Sequence, residues 1–219
     1  MNPSTSLRAG LPRRSGAAAE AGITLVEVTL MLMVGIAIIG ALAPSVTATI
    51  RRAETVAATA AMTDISDQVI KVLSDINYTT FTIDGTKTGT DVEMLVSNGD
   101  TPVECTAAAA ACTAWQRPVN NTTGLVDFIE RHLVTNNPRG SALNLYPVGG
   151  NNIWKGPYLN SPNEPDPWGN RYMVNVLYMD NDTNDVVVLS AGHDEVIGTA
   201  FTANPLAAGG DDLIVLVQA

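Results

Sequence analysis

Histidine and cysteine are almost absent from this 219-residue chain, two of each, and aromatic residues supply only 5% of it. Two cysteines with no second ligand pair beside them do not make a zinc site. No glycine-rich nucleotide loop and no triad spacing occurs, so nothing in the pattern argues for catalysis. Basic residues are scarce as well: 12 Lys and Arg against 22 Asp and Glu give a net charge of −10. A body this acidic repels phosphate backbones, which excludes nucleic-acid binding through a basic surface and leaves divalent cations or basic protein patches as the natural counterparts. The longest absence runs from Val28 to Ile50, where there is no Asp, Glu, Lys, Arg or His. That exceeds the roughly 20 apolar residues a helix needs to cross a bilayer.

What flanks this run gives it direction. Residues 1–22 are polar and basic, with Arg8, Arg13 and Arg14, and lack apolar periodicity, so they read as a cytoplasmic leader. The leader arginines favour an N-terminus kept inside, although Arg51 and Arg52 close the other end of the run. Glu27 sits at the lip of the span, where a carboxylate in hydrocarbon costs about 2.5–3.5 kcal/mol on insertion scales and marks a functional position. Two processing schemes fit. In one, Ala41-Leu42-Ala43 is a secretory cleavage site, with Pro44 awkwardly placed at the first mature position. In the other, the cut falls after Gly22, the apolar segment stays, and Glu27 becomes the fifth mature residue.

Gly22-Ile23-Thr24-Leu25-Val26-Glu27 resembles the type IV prepilin leader junction shared by type IV pilins and the pseudopilins of type II secretion. Pro44 matches the helix-perturbing proline of many such proteins; Ile23 in place of Phe, and Ala21 in place of a basic residue, depart from the pattern. The resemblance implies cleavage between Gly22 and Ile23 by a prepilin peptidase. It implies storage in the inner membrane as a single-pass protein, N-terminus cytoplasmic and head periplasmic, and then extraction by an inner-membrane assembly platform. The product would be a homo-oligomeric helical filament, periplasmic or extracellular, that also contains other pseudopilins or minor pilins. In such a filament Glu27 of one subunit would pair with the Ile23 amine of its neighbour and set axial register, since either charge left alone is costly.

The expected fold is α+β, a type IV pilin-like arrangement of one long N-terminal helix on a small antiparallel β-sheet head. Apolar residues at three- and four-residue steps, from Val46 and Ile50 to Val72 and Ile76, predict a helix over 23–77, with a transmembrane half at 23–50 and a kink or local melting at Pro44. Residues 78–150 read as a variable region of short strands and loops with a short helix near 124–134, where Leu125, Phe128, Ile129, His132 and Leu133 share a helical face. His132 reads there as a core-edge or surface residue. Cys105 and Cys112 enclose a small insertion. Outside the cytoplasm the simplest reading is one local disulfide, with two free thiols or an intermolecular bond as alternatives.

Residues 151–219 read as a C-terminal β-rich head. Ile153-Trp154-Lys155-Gly156-Pro157-Tyr158-Leu159 is followed by Asp166-Pro167-Trp168-Gly169-Asn170-Arg171-Tyr172, where Pro167, Trp168 and Gly169 give a rigid turn feeding a strand near Tyr172; Met173–Met179 and Val186–Leu189 read as strands joined by a turn at 180–182. The order of these motifs from about Gly124 resembles the head of the major pseudopilin family. That family's Ser-x-Gly-x-Asp loop and later Asp-Asp-Ile cradle calcium. Carried over by motif, Asp194 and Asp212 would be the main ligands, with Asp211, Ser190 and the Leu189 carbonyl weaker ones. Calcium takes six to eight oxygens. Glu195 departs from the family glycine. The chain thus reads as a structural subunit, a pseudopilin of type II secretion; the alternatives are a type IV pilin, major or minor, and a secreted binding domain with a conventional signal peptide.

Overall fold

A computed structural model describes residues 24–105, 112–119, 125–160, 164–180, 183–202 and 206–217. The expectations for Gly22 and Ile23, and for the turn residues Asn181 and Asp182, lie outside the described residues. The chain divides into two units, one up to Ala48 and one from Thr49 onward.

Helix α1 runs Leu25–Ile76 and carries Pro44 in its interior. The foreseen melting at Pro44 does not occur: helical backbone continues on both sides. Hydroxyls engage the carbonyls just before it, Ser45 Oγ donating to Leu42 O at 2.8 Å and Thr47 Oγ1 to Ala43 O at 3.1 Å. Within the first unit the apolar side chains are bare, Leu25, Met33 and Ile36 being 82%, 71% and 70% exposed. This segment, with a mean hydropathy of 2.4 over its most apolar window, is long and apolar enough to cross a membrane.

In the second unit the same helix changes character. Ala58, Met62, Ile65, Val69, Val72, Leu73 and Ile76 are buried, a stripe at three- and four-residue spacing that faces the sheet. Asn77 ends the helix in the left-handed conformation, φ 56°, a usual cap for a residue whose short amide tolerates it.

The main sheet has the order β3-β1-β4-β5-β7, from β1 (Met94–Val96), β3 (Val126–Phe128), β4 (Met173–Val174), β5 (Val187–Ser190) and β7 (Leu213–Leu216). Only the β1–β3 pair is parallel. Side chains alternate between two cores, as a period of two requires. Leu95, Val174 and Val188 face α1, while Met94, Val96, Met173, Val187 and Leu189 face a second core with Trp115, Ile197 and Phe201. A separate two-stranded parallel ladder joins β2 (Glu104–Cys105) to β6 (Val196–Ile197).

Two expected elements change. The helix near 124–134 is strand β3 followed by the five-residue α2 (Ile129–Leu133), because the β1 ladder claims Val126–Phe128. The strand expected over Met173–Met179 stops at Val174. Asn175 then turns the chain into a 3₁₀ turn at Val176–Tyr178, its amide spent on Asp185 O at 2.9 Å and Phe201 O at 3.1 Å.

Candidate functional site

At the start of α1, Thr24 and Glu27 cap the helix reciprocally. Thr24 N donates to Glu27 Oε2 at 2.9 Å, Thr24 Oγ1 donates to the same oxygen at 3.1 Å, and Glu27 N donates to Thr24 Oγ1 at 3.3 Å. This is a capping box, two orphan amides of the first turn satisfied by two side chains. Glu27 is exposed and meets no second charge among the described residues. The Thr-x-x-Glu spacing that announces the box is plain in the sequence, and it gives Glu27 a partner within its own first turn.

The head motifs converge on Asp166. Asp166 Oδ1 accepts from Trp168 N at 3.0 Å and from Asn170 N at 2.8 Å, and Oδ2 accepts from the Ser190 hydroxyl at 2.6 Å. Burial raises its pKa, against the lowering effect of these donors. The Asp-Pro-Trp-Gly-Asn turn is thereby fastened to β5, and Ser190 faces Asp166. Next to it, Arg171 is 3% exposed and gives Nη2 to Trp115 O at 2.7 Å and Arg117 O at 2.9 Å. Burial lowers its pKa to about 10. The other motif docks on α1: Lys155 Nζ lies 2.5 Å from Asp75 Oδ1, and Tyr158 OH donates to Asp75 Oδ2 at 3.0 Å.

The loop expected to hold calcium is closed by its own amides. Asp211 Oδ2 accepts from His193 N and Asp194 N, both at 3.0 Å; Asp212 Oδ2 accepts from Gly198 N at 3.0 Å and Thr199 N at 2.7 Å; Asp194 Oδ1 accepts from Val196 N at 2.9 Å. Asp194, Asp211 and Asp212 are thus brought to one loop system. Leu189 lies inside the ladder between β4 and β7. Among the described residues no three acidic, histidine or cysteine side chains converge closely enough to hold a metal ion. Two observations nonetheless suit a cation. Asp212 Oδ1 is buried without a hydrogen-bond partner. Burial and the neighbouring Asp194 also raise the pKa of Asp211, and burial raises that of Asp212.

Glycines make this loop possible. A Cβ on Gly192, φ 69°, would stand 2.3 Å from Asp211 O, and Gly198 and Gly209 pass backbone to backbone. Glu195 itself takes φ 60°, the conformation glycine favours.

Cys105 and Cys112 are joined as a disulfide, Cα atoms 6.0 Å apart. Cys105 pairs with Ile197 across β2–β6. Trp115, three residues beyond Cys112, donates its Nε1 to Thr199 O at 3.2 Å. The staple therefore bears on the strand leading into the aspartate loop.

His132 is fully buried, contrary to its expected place at the core edge. Its Nε2 meets Asp127 Oδ2 and its Nδ1 lies 2.6 Å from Tyr146 OH. Asp127 also accepts from Arg131 Nη1 at 2.6 Å and Arg139 N at 2.6 Å. Burial alone would raise the Asp127 pKa; His132, Arg139 and Arg131 overcome it and hold it at about 2. Asp127, His132 and Tyr146 are fully buried, Arg131 and Arg139 reach the surface, and the group ties β3, α2 and the 136–146 segment together.

Residues 135–206 match the family model described as Type II secretion system (T2SS), protein G, which spans both head motifs and the Ser190–Asp194 loop. No curated protein and no solved structure matches the chain.

Proposed function

We propose, from the match of residues 135–206 to the family model of type II secretion protein G, that the chain is a major pseudopilin, a structural and not an enzymatic subunit, stored, matured and assembled as follows. It is held in the inner membrane by the first half of α1, N-terminus inside and head in the periplasm. A prepilin peptidase cuts after Gly22. An assembly platform then draws the subunit into a helical pseudopilus alongside other pseudopilins. The observation that carries this is the division of labour along α1: its second half is striped and buried against the sheet, while its first half is bare and apolar. Bare apolar surface of this extent in an otherwise polar protein requires lipid or neighbouring helices around it.

In the filament, Glu27 would meet the Ile23 amine of a neighbour and fix the axial step. Calcium would be taken by Asp194 and Asp212 with help from Asp211; it would supply charge neutralisation to a loop whose carboxylates crowd one another. Mass spectrometry of the mature chain tests the scheme. A methylated or free Ile23 at the N-terminus is expected, together with loss of an extracellular protein when the gene is deleted. A mature terminus at Pro44 would overturn it.

A further inference from the structure

Asp100, Glu104, Asp194 and Glu195 line a cleft of about 540 Å³ between the segment leading into β2 and the segment leading into β6. All four are exposed, and the side chains of Asp100, Glu104 and Glu195 have no partner among the described residues. Val103, 87% exposed, adds an apolar lip. Asn170 also lines the cleft. It is 3% exposed and its Nδ2 has no hydrogen-bond partner, so a donor stands ready for an acceptor brought from outside.

The same chain carries the complement. On α1, Arg51, Arg52, Thr55 and Val56 form one shallow surface. Both arginines are exposed with no partner among the described residues. Thr55 Oγ1 gives its proton to Arg51 O at 2.9 Å, which leaves the oxygen's lone pairs free to accept. Val56 is 68% exposed.

We infer that the Asp100–Glu104–Glu195 cleft of one copy receives the Arg51–Arg52 turn of another, resting on the filament reading above. The chemistry matches at three points: guanidinium to carboxylate, the Asn170 amide to the Thr55 hydroxyl oxygen, and Val56 to Val103. Guanidinium forks suit carboxylates, and the pairs set register and partner choice. The two surfaces are different patches of one chain, so the contact is heterologous. Each added subunit presents a fresh cleft and a fresh arginine pair, which is the condition for an open helical assembly and not a closed dimer.

The test uses the full chain expressed with its secretion machinery, with sheared filament as the readout. Arg51→Glu with Arg52→Glu, and separately Asp100→Lys with Glu104→Lys, should each lower filament yield by about tenfold. Combining the two sets should restore much of it. Protease resistance of the heads confirms that each variant folds. As a second measurement, Arg52→Cys with Glu104→Cys should give an intermolecular cross-link in filaments made by the chain. Folded reversal variants that assemble at the unchanged yield, or filaments without the cross-link, would overturn the contact. If the unchanged chain forms no filament at all, the filament reading falls and this contact falls with it.

Discussion

Nε2 of His132 stands 3.0 Å from Oδ2 of Asp127, both side chains wholly sealed from solvent. A carboxylate in such a place persists because every oxygen is engaged, and breaking one arm leaves a buried charge uncompensated.

The stability this carboxylate contributes follows pH in a defined direction. Its pKa is lowered from 3.8 to about 2, so the contribution is complete above the unfolded value and is lost as pH falls through 3.8 toward about 2. The shift corresponds to about 2 kcal/mol. Asp127→Asn should cost about 3 kcal/mol at pH 7 and much less near pH 2. Urea melts at both pH values check this; a penalty independent of pH would refute it.

Gly192→Ala should destabilise the head by about 2 kcal/mol, since a methyl group would press on Asp211 O and left-handed backbone disfavours it. The opposite change is expected at Glu195. Its left-handed backbone costs about 1 kcal/mol that glycine would not incur, so Glu195→Gly should be neutral or raise the melting temperature by a few degrees. A clear loss of stability in the second variant would show that the side chain is needed.

Calcium gives a third expectation. The pKa values of Asp211 and Asp212 are raised, so without a cation the fold loses stability as pH rises from the ordinary carboxylate range through those raised values. Millimolar calcium at neutral pH should restore about 2–3 kcal/mol, a rise of several degrees in melting temperature. Asp212→Ala should abolish the response. An unchanged melting curve with chelator and with added calcium argues against the ion.

Replacing either member of the first-turn box should act before assembly does. Thr24→Ala or Glu27→Val removes a cap worth about 1 kcal/mol to the helix start. Glu27→Val should in addition disturb filament formation, whereas Thr24→Ser, which keeps the hydroxyl, should not. Equal filament yields from Glu27→Val and the unchanged chain would remove the register role.

Much of this architecture is legible in residue spacing. The buried stripe from Ala58 to Ile76 repeats at three and four residues, and the strands alternate between two cores. Residues 124–134 misled because Leu125, Phe128, Ile129, His132 and Leu133 do share a helical face, while the competing ladder to β1 is a pairing 32 residues away, Met94 with Val126. The buried Asp127–His132–Tyr146 set was hidden for a related reason: polar residues carry no burial signal until their partners are known. At the aspartate loop the ligand-type residues were readable, but Ser190 turns to Asp166 across a distance in sequence that no local pattern reports.

The disulfide closes a loop of only 8 residues, which in the chain-entropy account removes about 2.5 kcal/mol of freedom from the unfolded chain. Its location matters more than its size. Among the described residues β6 has one partner strand, of two residues, and that strand ends in Cys105. Where the two sulfurs are kept reduced, the loop carrying Gly198 and Thr199 loses its covalent mooring and keeps the hydrogen bonds to Trp115, Asp212 and Gly209. The finished shape of the aspartate loop is therefore a property of the compartment as well as of the sequence.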